Sequence, residues 1–242
     1  MDQEQPLIAH LAELRDRLLR AIVVIFGVFL LLSFFANDIY RLLAMPLMAE
    51  MPAETSMIAT QVASPFLVPF KLAFFAAVFV TMPYSLFQAW AFIAPGLYDK
   101  ELRFATPLLL TSIALFYIGV AFAYFIVFPL LFGFLTSVAP EGVSVMTDIG
   151  HYLDFILKLF FAFGLAFEVP IATILLISTG ITTRESLAEK RSYIIVGAFT
   201  VGMLLTPPDF VSQILLAVPI WLLFESGLVL SKYFLPPQNE EE

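Results

Sequence analysis

Residues 104–132 read FATPLLLTSIALFYIGVAFAYFIVFPLLF, and from Phe104 onward the chain meets no charged residue until Glu141. As an α-helix this stretch is about 43 Å long, at ~1.5 Å per residue. That exceeds the ~30 Å hydrocarbon core of a bilayer, so the stretch reads as a long, tilted membrane span. Working outward, similar apolar runs lie at about 20–36, 70–93, 153–178, 193–205 and 211–230. The expectation is an all-α polytopic membrane protein whose six transmembrane helices form a concave bundle. Composition agrees, with 61% hydrophobic and only 13% charged residues against a charged share of about 25% in soluble domains.

The fifth and sixth runs are separated by only Thr206-Pro207-Pro208-Asp209, which makes them a tight hairpin. Run five has about 13 residues, roughly 20 Å of helix, well short of the bilayer core. Either the bilayer thins there or the hairpin stops partway across. One membrane domain is expected over 1–242, with 1–19 as an amphipathic segment and 231–242 as an acidic tail ending in Glu240-Glu241-Glu242.

Lys and Arg set the orientation. Nine of them, including Arg15, Arg17, Arg20, Lys100, Arg103, Arg191 and Lys232, fall on one side of the six-span arrangement. Arg41, Lys71 and Lys158 fall on the other. Both termini are therefore expected in the cytoplasm, with long opposite-side loops at about 37–65 and 133–150. Pro46, Pro52 and Pro65 divide the first of these into ordered pieces. The acidic amino terminus has no basic region or cleavage site of a removable signal peptide.

Several polar residues stand out against this apolar background. Leu7, Leu11, Leu14 and Leu18 recur at helical spacing, so the first segment reads as an amphipathic helix at the membrane surface. On its polar face Glu13 and Arg17, and Asp16 and Arg20, can pair at i,i+4. Solvated ion pairs on an anchor helix would explain that equally well. Glu101 lies on the same side as Glu13, and two carboxylates there can hold a guanidinium by charge-assisted bidentate bonds. A solvated loop charge is the plainer alternative.

Glu168 sits near mid-span, followed by Pro170, and an ionised carboxylate at that depth is costly. It must be protonated, paired or facing water; a structural contact to a neighbouring helix would also suffice. Pro170 frees a backbone carbonyl one turn earlier and bends the helix. Asp209 follows Pro208 as a natural N-cap, so turn chemistry competes with any functional role. Glu225 reads as structural.

Enzymatic chemistry has no visible residues. The chain has no cysteine, and His10 and His151 lie on opposite sides without metal-ligand companions, so no metal or cofactor is expected. No HExxH pair, intramembrane serine motif or phosphate-binding glycine loop occurs. No inverted repeat of the kind many transporters show is visible.

Beyond single residues, an ordered set of short motifs resembles the TatC family. These are His10-Leu11-Ala12-Glu13-Leu14-Arg15-Asp16-Arg17-Leu18; Ala63-Ser64-Pro65-Phe66; Gln88 to Tyr98, QAWAFIAPGLY; Phe122-Ala123-Tyr124-Phe125; Ala162-Phe163-Gly164 with Phe167-Glu168-Val169-Pro170; and Leu205-Thr206-Pro207-Pro208-Asp209. They span nearly the whole chain and look closest to proteobacterial members.

The resemblance implies the large subunit of the twin-arginine translocase in the bacterial cytoplasmic (inner) membrane. Such a subunit binds twin-arginine signal peptides and, with TatA- and TatB-type single-span partners, moves folded proteins using the proton motive force. It implies Glu13 and Glu101 as acceptors for the signal's arginines, with Arg15, Arg17, Phe92 and Arg103 in support, and Pro46 in a loop used for assembly. It makes Glu168 the family's buried acid and brings partner helices to Met203, Leu204, Thr206, Pro207 and Gln213. A homo-oligomer within a receptor complex is implied, and nucleic acid is not. The rival from another class is a proton-coupled small-solute transporter using Glu168; an intramembrane hydrolase lacks a nucleophile–base pair.

Overall fold

The structure, a computed structural model, describes residues 4–42, 58–93, 99–137, 148–205 and 209–234; for 4–9, 99–105, 135–136 and 234 it describes the backbone alone. The described residues are helical throughout apart from short turns and one parallel β-bridge between Ile58 and Asp148. The chain divides into two compact units, Met1–Ile113 with Ser144–Leu153, and Ala114–Val143 with Asp154–Glu242.

In the first unit, α1 (Glu4–Ser33) is one unbroken helix, so the amphipathic segment and the first apolar run are continuous. Nothing interrupts it because no Gly or Pro occurs between Leu7 and Phe26. At its end the Ser33 hydroxyl donates to the Phe29 carbonyl at 2.8 Å, and the chain turns by 87° into α2 (Ala36–Leu42). The expected Pro46 site lies outside the described residues.

α3 (Ser64–Val80) starts with Pro65 in the first turn, where its missing N–H costs nothing. It begins earlier than the apolar run suggested. α4 (Met82–Ile93) follows after a 49° bend at Thr81. Pro83 has no N–H to continue the ladder, and at the bend the Ala77 carbonyl accepts from both the Thr81 N–H (3.0 Å) and the Thr81 hydroxyl (2.8 Å). α1 packs on α3 and α4, burying Ala21, Leu72, Ala73 and Ala77, with Phe29 edge-on to Phe74 at 5.8 Å.

α5 (Asp99–Phe122) contributes to both units. In the second unit it passes through a π-helical turn, Ala123–Val127, into α6 (Phe128–Ser137). α7 (Ile149–Ala166) and α8 (Val169–Ser178) are separated only by a turn at Phe167-Glu168. The short α9 (Arg184–Glu189) is capped by the Thr183 hydroxyl. It leads to α10 (Arg191–Leu205) and α11 (Phe210–Phe234).

The core of this unit is aromatic. Phe128 stacks on Phe160 at 5.0 Å, and Phe122 meets Phe163 and Phe167 at 5.4 and 5.5 Å. Glycines set the closest approaches. A Cβ at Gly227 would stand 2.9 Å from Pro170 Cα and Thr173 Cβ, which is how α11 reaches α8.

Three helical stretches are long and apolar enough to cross a membrane: Thr106–Phe134, Ile149–Ser178 and Phe210–Tyr233. The number rises to five if each bent pair, α1 with α2 and α3 with α4, counts as one span. α10 is apolar but only 15 residues long, about 22 Å. Large apolar side chains such as Val23, Leu31, Phe125 and Val196 point outward. This is the arrangement of a membrane protein, in which lipid covers the apolar face that water would reject.

Candidate functional site

Positions 10, 13 and 17 share one face of α1, and 88 and 92 share one face of α4, because residues three and four apart align on a helix. These two faces meet. Arg17 donates from Nε (2.9 Å) and Nη2 (2.6 Å) to the same Glu13 oxygen, Oε1, and from Nη1 (3.4 Å) to the Gln88 side-chain carbonyl. Glu13 Oε2 accepts no hydrogen bond among the described residues; His10 Nδ1 stands 4.0 Å from it. His10 stacks on Phe92, ring centroids 4.1 Å apart and planes within 17°.

Gln88 is 7% exposed, whereas the Glu13 and Arg17 side chains are 38% and 22% exposed. The cluster is therefore anchored from below and open above. Arg15 turns to its neighbour Asp16 at 2.8 Å, so the carboxylate expected to pair with Arg20 is held by Arg15 instead. Glu101 and Arg103 lie in the first turns of α5, and their side chains are outside those described.

Glu168 occupies the turn between α7 and α8, about 15 Å along the axis from Ser178. Its N–H donates to the Leu165 carbonyl and its carbonyl receives Ala172 N–H, so the chain stays helical while Pro170 contributes no donor. Glu168 Oε1 is buried. Phe167, held against Phe122, gives this acid an aromatic flank.

At the other end of this unit Asp209 caps α11. Its Oδ1 accepts from Ser212 N–H at 2.7 Å, while Oδ2 is buried without a partner among the described residues. Gln213 is half-buried, its backbone against Gly202 of α10. Met203 and Leu204 are 54% and 73% exposed. Thr206 and Pro207 lie outside the described residues. The structure thus brings Gln213 to the α10–α11 contact and leaves Met203 and Leu204 facing outward. At the far end of the same pair the Arg191 fork takes both Glu225 oxygens, at 2.6 and 2.9 Å.

Sequence reasoning missed three polar groups. Gln88 was legible only as one polar residue in an apolar helix. Arg191 was counted for orientation, not as the partner of Glu225, 34 positions away. Asp148 is the third: its Oδ2 accepts from Thr60 hydroxyl (2.6 Å) and N–H (2.8 Å), and its Oδ1 from Gly150 and His151 N–H. These bonds, the Thr60 hydroxyl foremost, hold its carboxyl well below the usual carboxylate range. Asp148 thereby caps α7 and fastens residues 58–60 to it.

The chain matches the family described as Sec-independent protein translocase protein (TatC) over residues 9–219. It is 60% identical to the Sec-independent protein translocase protein TatC of Azotobacter chroococcum, over 94% of this chain and 89% of that one. Identity to the proteins of the same name from Haemophilus influenzae and Escherichia coli K12 is 58% and 55%, over 99% and 100% of this chain and 94% of each of theirs. A crystal structure of the twin arginine translocase receptor TatC superposes with a TM-score of 0.84 at 38% identity, covering 93% of this chain and 98% of that one.

Proposed function

Because the chain belongs to the TatC family of Sec-independent protein translocase proteins, we propose that it is the membrane receptor for twin-arginine signal peptides. The half-exposed Glu13 carboxylate carries this reading: one of its oxygens is free of hydrogen bonds among the described residues, on a face anchored by Gln88 and walled by His10 and Phe92. Glu13 and, from the first turn of α5, Glu101 receive the two guanidinium groups. Arg17 and Phe92 line the same face, with Arg15 and Arg103 nearby in support. Arginine suits such sites better than lysine because its planar fork matches a carboxylate.

In this reading the chain spans the bacterial inner membrane six times with both termini in the cytoplasm. α10 is the short span and thins the bilayer beside it. TatA- and TatB-type helices seat against Met203, Leu204 and the Thr206–Gln213 turn, Pro46 serves assembly, and Glu168 and Asp209 act after docking. Copies of the chain assemble in the receptor complex. The proton gradient drives passage of the folded cargo, and no cofactor enters. The relatives' description as a protein translocase favours this over a proton-coupled solute transporter.

Complementation tests it. Cells lacking their own TatC-type subunit and supplied with this chain should export a folded reporter bearing a twin-arginine signal, and lose export when Glu13 and Glu101 are both changed to Gln. Export that survives the double change would remove the carboxylates from the account.

A further inference from the structure

We propose that Arg17 is a resident competitor for the Glu13 docking site, an internal guanidinium that a ligand must displace. The inference rests on the reading of Glu13 as an arginine acceptor and adds how that acceptor is regulated. Arg17 does to Glu13 what an arriving arginine would do: it brings two N–H donors, Nε and Nη2, to the carboxylate. Both donors converge on Oε1, and Oε2 alone remains open. A second guanidinium can reach the open oxygen end-on. To engage both oxygens as a fork, it must evict Arg17.

Gln88 gives the competitor its hold. An i,i+4 ion pair on an exposed helix face favours the closed form by only about twofold. Here the same guanidinium also reaches the carbonyl of a side chain that is 7% exposed and belongs to another helix, and such a bond adds a further factor of about two to ten. The open, ligand-competent state is then a minority, and apparent affinity falls by that fraction. Arg17 thus keeps weak cationic segments off the site and returns to Glu13 when a signal leaves. It is a positioning residue whose removal tightens binding.

The test uses the full chain in lipid nanodiscs and a fluorescent twin-arginine signal peptide, read by anisotropy. Arg17→Gln should tighten binding by about 5–20-fold, the inverse of the open fraction. Gln88→Leu should give part of that gain. Arg20→Gln removes a nearby charge that is not on Glu13 and should change affinity by less than about twofold. In a Glu13→Gln background Arg17→Gln should give no gain, since the two act on one contact.

Weaker or unchanged binding in Arg17→Gln overturns the proposal, as does an equal gain in Arg20→Gln or a gain that persists without Glu13. If Arg17→Gln does not fold, Arg17→Lys, which keeps the charge and loses the fork, must show the tightening instead. Failure of the underlying docking reading looks different: Glu13→Gln alone would then leave peptide affinity unchanged.

Discussion

Gly119→Ala adds one methyl where α5 meets α7. The new Cβ would stand 2.5 Å from the Phe163 carbonyl oxygen and 2.9 Å from Phe167 Cγ, where ordinary contact begins at 3.4 Å. The oxygen is backbone and receives Phe167 N–H at 3.0 Å, so relief comes only if one helix moves by about 0.9 Å. Overpacking of this kind costs about 1–3 kcal/mol. It is opposed by the ~1 kcal/mol that Ala gains over Gly inside a helix.

Gly197→Ala in α10 isolates the two terms, because nothing lies within 4 Å of its Cβ and only the helix gain applies. The variants should therefore differ by the steric term alone. At roughly 2–4 °C per kcal/mol for a chain of this size, Gly119→Ala should melt about 2–12 °C below Gly197→Ala. Intrinsic fluorescence of Trp90 and Trp221 in detergent reports the transition. Because the displaced carbonyl belongs to the turn leading to Glu168, the Gly119 variant should also lose transport. Equal melting temperatures would show that the α5–α7 approach is not close packed.

The remaining expectations concern polar groups. The Asp148 carboxyl is held below its ordinary range, so its contribution is present above that range and disappears only as pH falls beneath it. Hydrogen-exchange protection of Thr60 N–H should thus be flat from about pH 5.5 to about pH 8 and be lost in Asp148→Ala; a slope across that window would contradict a carboxyl held that low. Glu225→Gln breaks the fork on Arg191, so spin labels on cysteines placed at Ile195 and Val229, in a chain with no native cysteine, should show a broader distance distribution; an unchanged one would make the pair incidental. Glu168→Ala should impair transport of a folded precursor more than its initial binding, and wild-type transport would leave Glu168 a structural contact.

Most of the helical architecture was legible because lipid demands uninterrupted apolar runs, and a run such as 104–132 has no alternative in water. Helix ends and breaks were less legible. The bend at Thr81 depends on Pro83, which has no N–H to donate, and the start of α3 at Ser64 depends on Pro65 tolerating a first turn; neither alters hydropathy. Glu13 and Arg17 were readable as a pair from their spacing. The third member, Gln88, was not, since its role exists only when α4 lies against α1. The same limit hid Asp148 with Thr60, 88 positions apart, and Arg191 with Glu225.

The most direct test of the central claim is site-specific photo-cross-linking in membranes, with probes at Leu14 on α1 and Leu204 on α10. A twin-arginine precursor should cross-link from position 14, and a matched twin-lysine precursor should not, while position 204 should capture a small single-span partner. Equal cross-linking of both precursors from position 14, or none from either, would contradict a receptor that reads arginines at the Glu13 face.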